Sequence, residues 1–283
     1  MWLKLEKLLK QEIEKIPRPY GIFLSGGIDS GLLAALSKPD FAITITFPEY
    51  SEVKYAESIA DHLNIPLSII RCSSNKNVLK GAIKIIGKPI NSVSIVPWYY
   101  LMNSCQNQTM INGEGADELF GGYSRYLILK HIFELYKKPE LKNYHPTLDF
   151  LFNGNHSKLV EKELTETRDI EEVMRLEYKH TLPDVIYMEK KIAGYFNVDF
   201  RQPFMSPKIK KFADSLPLKY KIRGDMTKWI LRKLAKKYLP KDVVDRKTKQ
   251  GLIAPINKLM GWTGERGEFD KKKYLKYQNK ILK

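Results

Sequence analysis

Cysteine is scarce in this chain: Cys72 and Cys105 are the only two among 283 residues. Two thiols cannot build a disulfide scaffold or an all-cysteine zinc site. The five histidines, at 62, 131, 145, 156 and 180, are scattered and never take HExxH spacing. No run approaches the roughly 18 consecutive apolar residues needed to cross a bilayer. The opening Met1-Trp2-Leu3-Lys4-Leu5-Glu6 lacks the apolar stretch of a secretion signal. Apolar residues make up 43% and charged residues 28%, ordinary globular usage that argues against disorder. These absences leave a cytoplasmic globular protein with no membrane partner and no structural metal.

Acidic residues are scarce in one place only. The formal net charge is +16, yet residues 201–283 hold 24 Lys and Arg against 7 Asp and Glu, while residues 1–200 hold 24 against 25. A basic final third suits an anionic partner, either a polyphosphate or a nucleic acid. A lysine-rich solvated surface accounts for it equally well. The segment from Asp270 (DKKKYLKYQNKILK) is expected to be an exposed, partly helical basic tail.

Residues 3–15 place Leu5, Leu8, Leu9 and Ile13 at helical spacing, and Pro17 and Pro19 end that helix. Four short apolar runs then read as strands: 20–24, 41–47, 66–72 and 109–112. Between them, 29–37, 51–63, 75–86 and 93–105 read as helices, with Pro97 weakening the last. Strand and helix in alternation predict an α/β fold, a doubly wound parallel sheet whose ligands sit at the carboxyl ends of the strands. Beyond residue 124 the strand signals fade and a mainly helical region, broken by prolines, is expected. The organisation is therefore an α/β core over 1–123, a mainly helical region over 124–269 and a basic tail over 270–283.

Two glycine-bearing motifs follow predicted strands. Ser25-Gly26-Gly27-Ile28-Asp29-Ser30 joins the first strand to a helix. Its glycines let backbone N–H groups approach phosphate oxygens, its serines add hydroxyls, and the helix start adds its dipole. Asp29 repels a phosphate unless Mg2+ stands between them. Gly113-Glu114-Gly115-Ala116-Asp117-Glu118-Leu119-Phe120-Gly121-Gly122-Tyr123 packs three carboxylates and four glycines into eleven residues after the fourth strand. Acids that crowded near a core need a cation, which Mg2+ held jointly by Asp29 and Asp117 supplies. Glu114, at the strand tip, is placed to orient a nucleophile or accept its proton.

The first motif is not the GxxxxGK[ST] loop, since no lysine follows the glycines. It resembles the SGGxDS pyrophosphate loop of the N-type ATP pyrophosphatases, with their adenine nucleotide α-hydrolase-like fold. The second resembles the GEGxDExFGGY signature of the asparagine synthetase synthetase domain and its relatives. The likeness continues through Arg201-Gln202-Pro203-Phe204, the Lys228 to Arg232 run KWILR and the segment from Lys247 to Pro255. The resemblance implies ATP bound by Ser25, Gly26, Gly27, Asp29, Ser30 and Gly113, with adenine between Phe23 and Ile45. It implies that Lys249, with Lys247 as its rival, meets the phosphates. The implied reaction adenylates a small-molecule carboxylate, releases pyrophosphate and passes the acyl group to ammonia or another amine.

The departures concern the second substrate. Trp2 stands where the full-length enzymes have a nucleophilic cysteine, so free ammonia, another amine or a separate glutaminase subunit is the expected donor. Met205-Ser206 replace Leu-Asp, Lys190 stands for an acid with Glu189 beside it, Asp199 replaces Glu and Asn112 replaces Ser. Aspartate as the carboxylate follows from the resemblance alone. A tRNA-modifying enzyme on the same loop, with Cys72 and Cys105 as sulfur carriers, is the second reading, and a non-catalytic ATP-binding relative the third.

Overall fold

The four apolar runs and one later segment form a five-stranded sheet in which every pairing is parallel. The structure, a computed structural model, describes residues 1–48, 51–135, 163, 167, 169–246, 251, 254–262 and 270–283. Its strands are β1 (Tyr20–Phe23), β2 (Phe41–Thr46), β3 (Leu67–Arg71), β4 (Thr109–Ile111) and β5 (Asp199–Arg201). Their order is β3-β2-β1-β4-β5. The chain steps outward from β1 through β2 to β3, then returns to lay β4 on the other side of β1. That reversal opens a crevice between the carboxyl ends of β1 and β4, where doubly wound sheets bind ligands.

Parallel sheets are covered on both faces, and the alternation along β1 shows how. Ile22 and Leu24 enter one core with α1 (Trp2–Ile13), α2 (Ile28–Ser37) and α3 (Val53–Leu63). Phe23 enters the other, with α4 (Lys76–Ile86) and α5 (Ile95–Ser104). Pro97 does not break α5, because it lies in the first turn, where its missing N–H has no helical partner to lose.

The sheet is not complete by residue 123. β5 comes from the region where the sequence predicts helix, and it pairs Asp199 with Thr109 and Arg201 with Ile111. A three-residue strand carries too little periodicity to be seen. Around it run α6 (Ala116–Phe120), α7 (Ser124–Leu135), α8 (Ile170–His180), α9 (Leu182–Tyr195) and α10 (Pro207–Asp214). Further on are α11 (Trp229–Ala235), α12 (Lys241–Val244), α13 (Ile256–Met260) and α14 (Lys271–Leu282). α11 returns to the first core through Ile230, Leu231 and Leu234, and α9 joins the second through Met188 and Ile192. α7 and α8 share a third cluster around Tyr126, Leu129 and Val173.

The carboxyl-terminal segment is not an exposed tail. Tyr274 and Gln278, one turn apart on α14, are both fully buried. The Gln278 amide donates to Ile90 O at 2.8 Å and accepts from Ile90 N at 2.9 Å. A single glutamine thus satisfies a backbone donor and acceptor that burial would leave costly. The lysines occupy the rest of the helix.

Candidate active site

Both glycine motifs converge on the crevice between β1 and β4. After β1 the chain turns through Ser25 and Gly26 into α2, whose N-cap is Gly27. Ser25 N donates to Ser30 Oγ at 3.1 Å, and the two serine hydroxyls lie 3.0 Å apart. These bonds hold both hydroxyls over the first turn of α2, beside its N–H groups. Asp29, in that first turn, is buried at 4% exposure.

After β4, Asn112 Oδ1 accepts from Glu114 N at 3.2 Å and shapes the turn into α6. Gly113 lies directly on the first motif: a Cβ there would stand 2.9 Å from Asp29 Cβ and 3.1 Å from Ser30 N. Only glycine lets the two loops touch. Asp117 then faces Asp29 across the crevice.

Between them is the ammonium of Lys228. Its Nζ lies 2.5 Å from Asp29 Oδ2 and 2.5 Å from Asp117 Oδ1, and the residue is 6% exposed. Burial works against its charge, but the Asp117 and Asp29 carboxylates overcome that and hold the ammonium above the usual lysine range. Lys228 sits just before α11 with φ 52° and ψ 37°, left-handed backbone that costs a residue with a Cβ about 1–2 kcal/mol. Gly122 gives its stem room, since a Cβ there would lie 2.1 Å from Lys228 Cε and 1.8 Å from Asp117 Oδ1.

Arg232, one turn along α11, secures this arrangement. Its guanidinium donates to Thr227 O at 3.0 Å, Val244 O at 2.6 Å and Arg246 O at 3.1 Å. The planar fork thereby ties the residue before Lys228 to the end of α12. Arg246 pairs with Glu52 and stacks 3.9 Å over the Tyr55 ring, whose Cβ abuts Gly26. The chain leading toward Lys247 and Lys249 is therefore anchored beside the first motif. Lys247 and Lys249 themselves lie outside the described residues.

Glu114 also meets two further acids, Glu118 and Glu189. Glu189, fully buried on α9, accepts from Gln202 Nε2 at 2.6 Å. Burial first, then repulsion from Glu114 and a hydrogen bond shared with it, push the Glu189 carboxyl well above the usual range. Burial, followed by repulsion from Glu114 and Asp117, pushes Glu118 up to about 8, and its Oε1 accepts from Tyr123 OH at 2.6 Å.

Lys190 is exposed, while its neighbour Glu189 faces Glu114. Ser206 caps a helix: its Oγ accepts from Lys208 N at 3.3 Å at the start of α10. Asp199 pairs with Arg201 on its own strand at 2.7 Å.

Ser25, Gly26, Gly27, Asp29, Ser30, Gly113, Glu114 and Asp117 thus assemble at one crevice. Phe23 and Ile45 are nearly buried in the second core, where Phe23 packs on Trp98 and Phe200 with centroids 5.6 and 5.9 Å away. Among the described residues, the structure brings Lys228, Glu189 and Gln202 to this candidate site as well, none of them a site residue expected from the sequence. The KWILR run was the available pointer to Lys228, and nothing local marks Glu189 over Lys190.

Among the described residues no helix is long and apolar enough to cross a membrane, and no group of three or more His, Cys, Asp or Glu is placed to hold a metal ion unaided.

The sequence model of the asparagine synthase family matches residues 4–266. The chain is 25% identical over 302 residues to the glutamine-hydrolyzing asparagine synthetase 1 of Bacillus subtilis strain 168, covering 84% of this chain and 46% of that protein. Against asparagine synthetase B of Escherichia coli K12 it is 24% identical over 261 residues, covering 82% and 40%. A putative asparagine synthetase of Methanocaldococcus jannaschii is 29% identical over 171 residues, covering 51% and 32%. The chain spans less than half the length of these curated relatives.

Proposed function

The chain belongs to the asparagine synthase family, and from that premise we propose that it is an ATP-dependent, AMP-forming amide synthetase. One observation carries this reading: Asp29 and Asp117, from loops at neighbouring strand ends, share a single cation at 2.5 Å each. Triphosphate binds over the first turn of α2, where the Ser25 and Ser30 hydroxyls and the helix N–H groups receive it. A substrate carboxylate attacks the α-phosphorus, and the bond to pyrophosphate breaks. Ammonia, or another amine, then attacks the acyl carbon and AMP leaves.

The donor set suits Mg2+, which usually takes one or two carboxylates together with substrate phosphates. Asp29 and Asp117 would hold it, and it would supply neutralisation of the triphosphate and its leaving group. Glu114 takes the proton of the attacking amine or orients it, with Glu189 and Gln202 fixing its position. Lys249, or Lys247 in its place, meets the pyrophosphate. Electrostatic stabilisation of the leaving group supplies most of the rate. Ammonia is the first nucleophile to test. Aspartate is the first carboxylate to test.

The experiment is a product assay with ATP, Mg2+, ammonium and a panel of amino acids. AMP and pyrophosphate are expected, and Asp29→Ala lowers the rate by roughly 10²–10³-fold. ADP and inorganic phosphate as products would overturn the reading.

A further inference from the structure

We propose that Lys228 closes the Asp29–Asp117 site to free divalent metal, so that the metal enters only together with a nucleotide. This rests on the reading that the crevice takes a metal–triphosphate. Lys228 Nζ occupies the position between the two carboxylates, 2.5 Å from an oxygen of each. A divalent ion bound to those same oxygens at about 2.0–2.1 Å cannot coexist with an ammonium there. One cation must leave before the other arrives.

The ammonium has little room to move by itself. The residue is 6% exposed, its backbone is held at φ 52° at the start of α11, and Gly122 lies against its stem. Arg232 braces the carbonyl of Thr227 immediately before it. Free metal offers no anion for the displaced ammonium to pair with, and two carboxylates fill only part of the metal's coordination sphere. A triphosphate brings oxygens that complete that sphere and give Lys228 a new partner. Hence the two carboxylates and Lys228 form a lock that metal alone cannot open, and the empty enzyme keeps its two loops in register without metal.

The probe is Mn2+ alone, followed by electron paramagnetic resonance and by thermal shift on the full chain. In the wild type, Mn2+ without nucleotide is expected to give no site-specific binding and no rise in Tm. Lys228→Met is expected to bind Mn2+ alone more tightly by on the order of 10–100-fold and to gain Tm as it does so. Adding Asp117→Asn to that variant abolishes the gain. Lys228→Gln, which keeps a hydrogen-bond donor without charge, serves if Lys228→Met does not fold.

With α,β-methylene-ATP present, the wild type binds Mn2+. Wild type binding Mn2+ alone as tightly as the lysine variants, or variants that gain nothing while the wild type still binds Mn2+ with the analogue, overturns the lock and leaves the synthetase reading standing. No binding even with the analogue removes both.

Discussion

Replacing Gly122 with alanine tests the central geometry with a single methyl group. An added Cβ would stand 1.8 Å from Asp117 Oδ1 and 2.1 Å from Lys228 Cε, whereas real Cβ contacts essentially never fall below 3.0 Å. Asp117 must retreat from 1.8 to 3.0 Å and Lys228 from 2.1 to 3.0 Å, about 1.2 and 0.9 Å respectively. Movements of that size open a contact that now measures 2.5 Å. Breaking a buried ion pair costs about 3–5 kcal/mol, and partial relaxation into the crevice brings the expected loss to about 3 kcal/mol. At roughly 2–4 °C per kcal/mol for a domain of this size, Tm falls by about 6–12 °C.

The control is alanine at Gly81 or Gly194, where a Cβ meets nothing within 4 Å. Both lie inside helices, α4 and α9, where alanine is favoured over glycine by about 0.5–1 kcal/mol. Their Tm stays level or rises. Calorimetry gives Tm for each variant, and pyrophosphate release gives the activity. Gly122→Ala melting and turning over like Gly81→Ala would refute the claim that Asp117 and Lys228 meet beside this glycine.

Three further outcomes follow from the packing. Arg125→Met removes the cation from the buried Glu177 carboxylate, which now takes Arg125 Nε and Nη2 at 2.8 and 2.7 Å and would keep only the Tyr126 hydroxyl at 2.6 Å, so urea unfolding should show a loss of about 3 kcal/mol. Hydrogen bonds from Lys10 and Tyr238 hold Glu6 down to about 2, against an ordinary 4.5. Its folded value is depressed, so its contribution is full above about 4.5 and lost as pH falls toward 2. The Tm difference between wild type and Glu6→Gln should therefore shrink across that window and stay constant above it. Burial pushes the Cys72 and Cys105 thiols up to about 12, so a thiol reagent at pH 8 should label neither in the folded chain and both in denaturant. Rapid labelling of the folded protein would restore the sulfur-carrier reading of these cysteines.

The four strands from β1 to β4 and the two loops of the crevice were legible in the sequence because each depends on short-range features. An apolar run of four to six residues makes a buried strand, and glycines with a capped helix behind them make the turn that follows. The order of strands and helices then places both loops at the reversal of the sheet, so Asp29 and Asp117 could be paired before any distance was known.

Packing decided what lies between and behind those carboxylates. Lys228 stands 199 positions from Asp29, and no local pattern says that a lysine ahead of a helix turns its ammonium inward. Glu189 and Lys190 are adjacent, but successive residues on a helix point about 100° apart. Which of the two meets Glu114 depends on how α9 lies against the sheet. The three residues of β5 become a strand only because β4 offers them an open edge, and Gln278 becomes a core residue only because the Ile90 backbone waits for it. Local chemistry is written along the chain, whereas the partner that a buried charge finds is set by which distant segment the core brings alongside it.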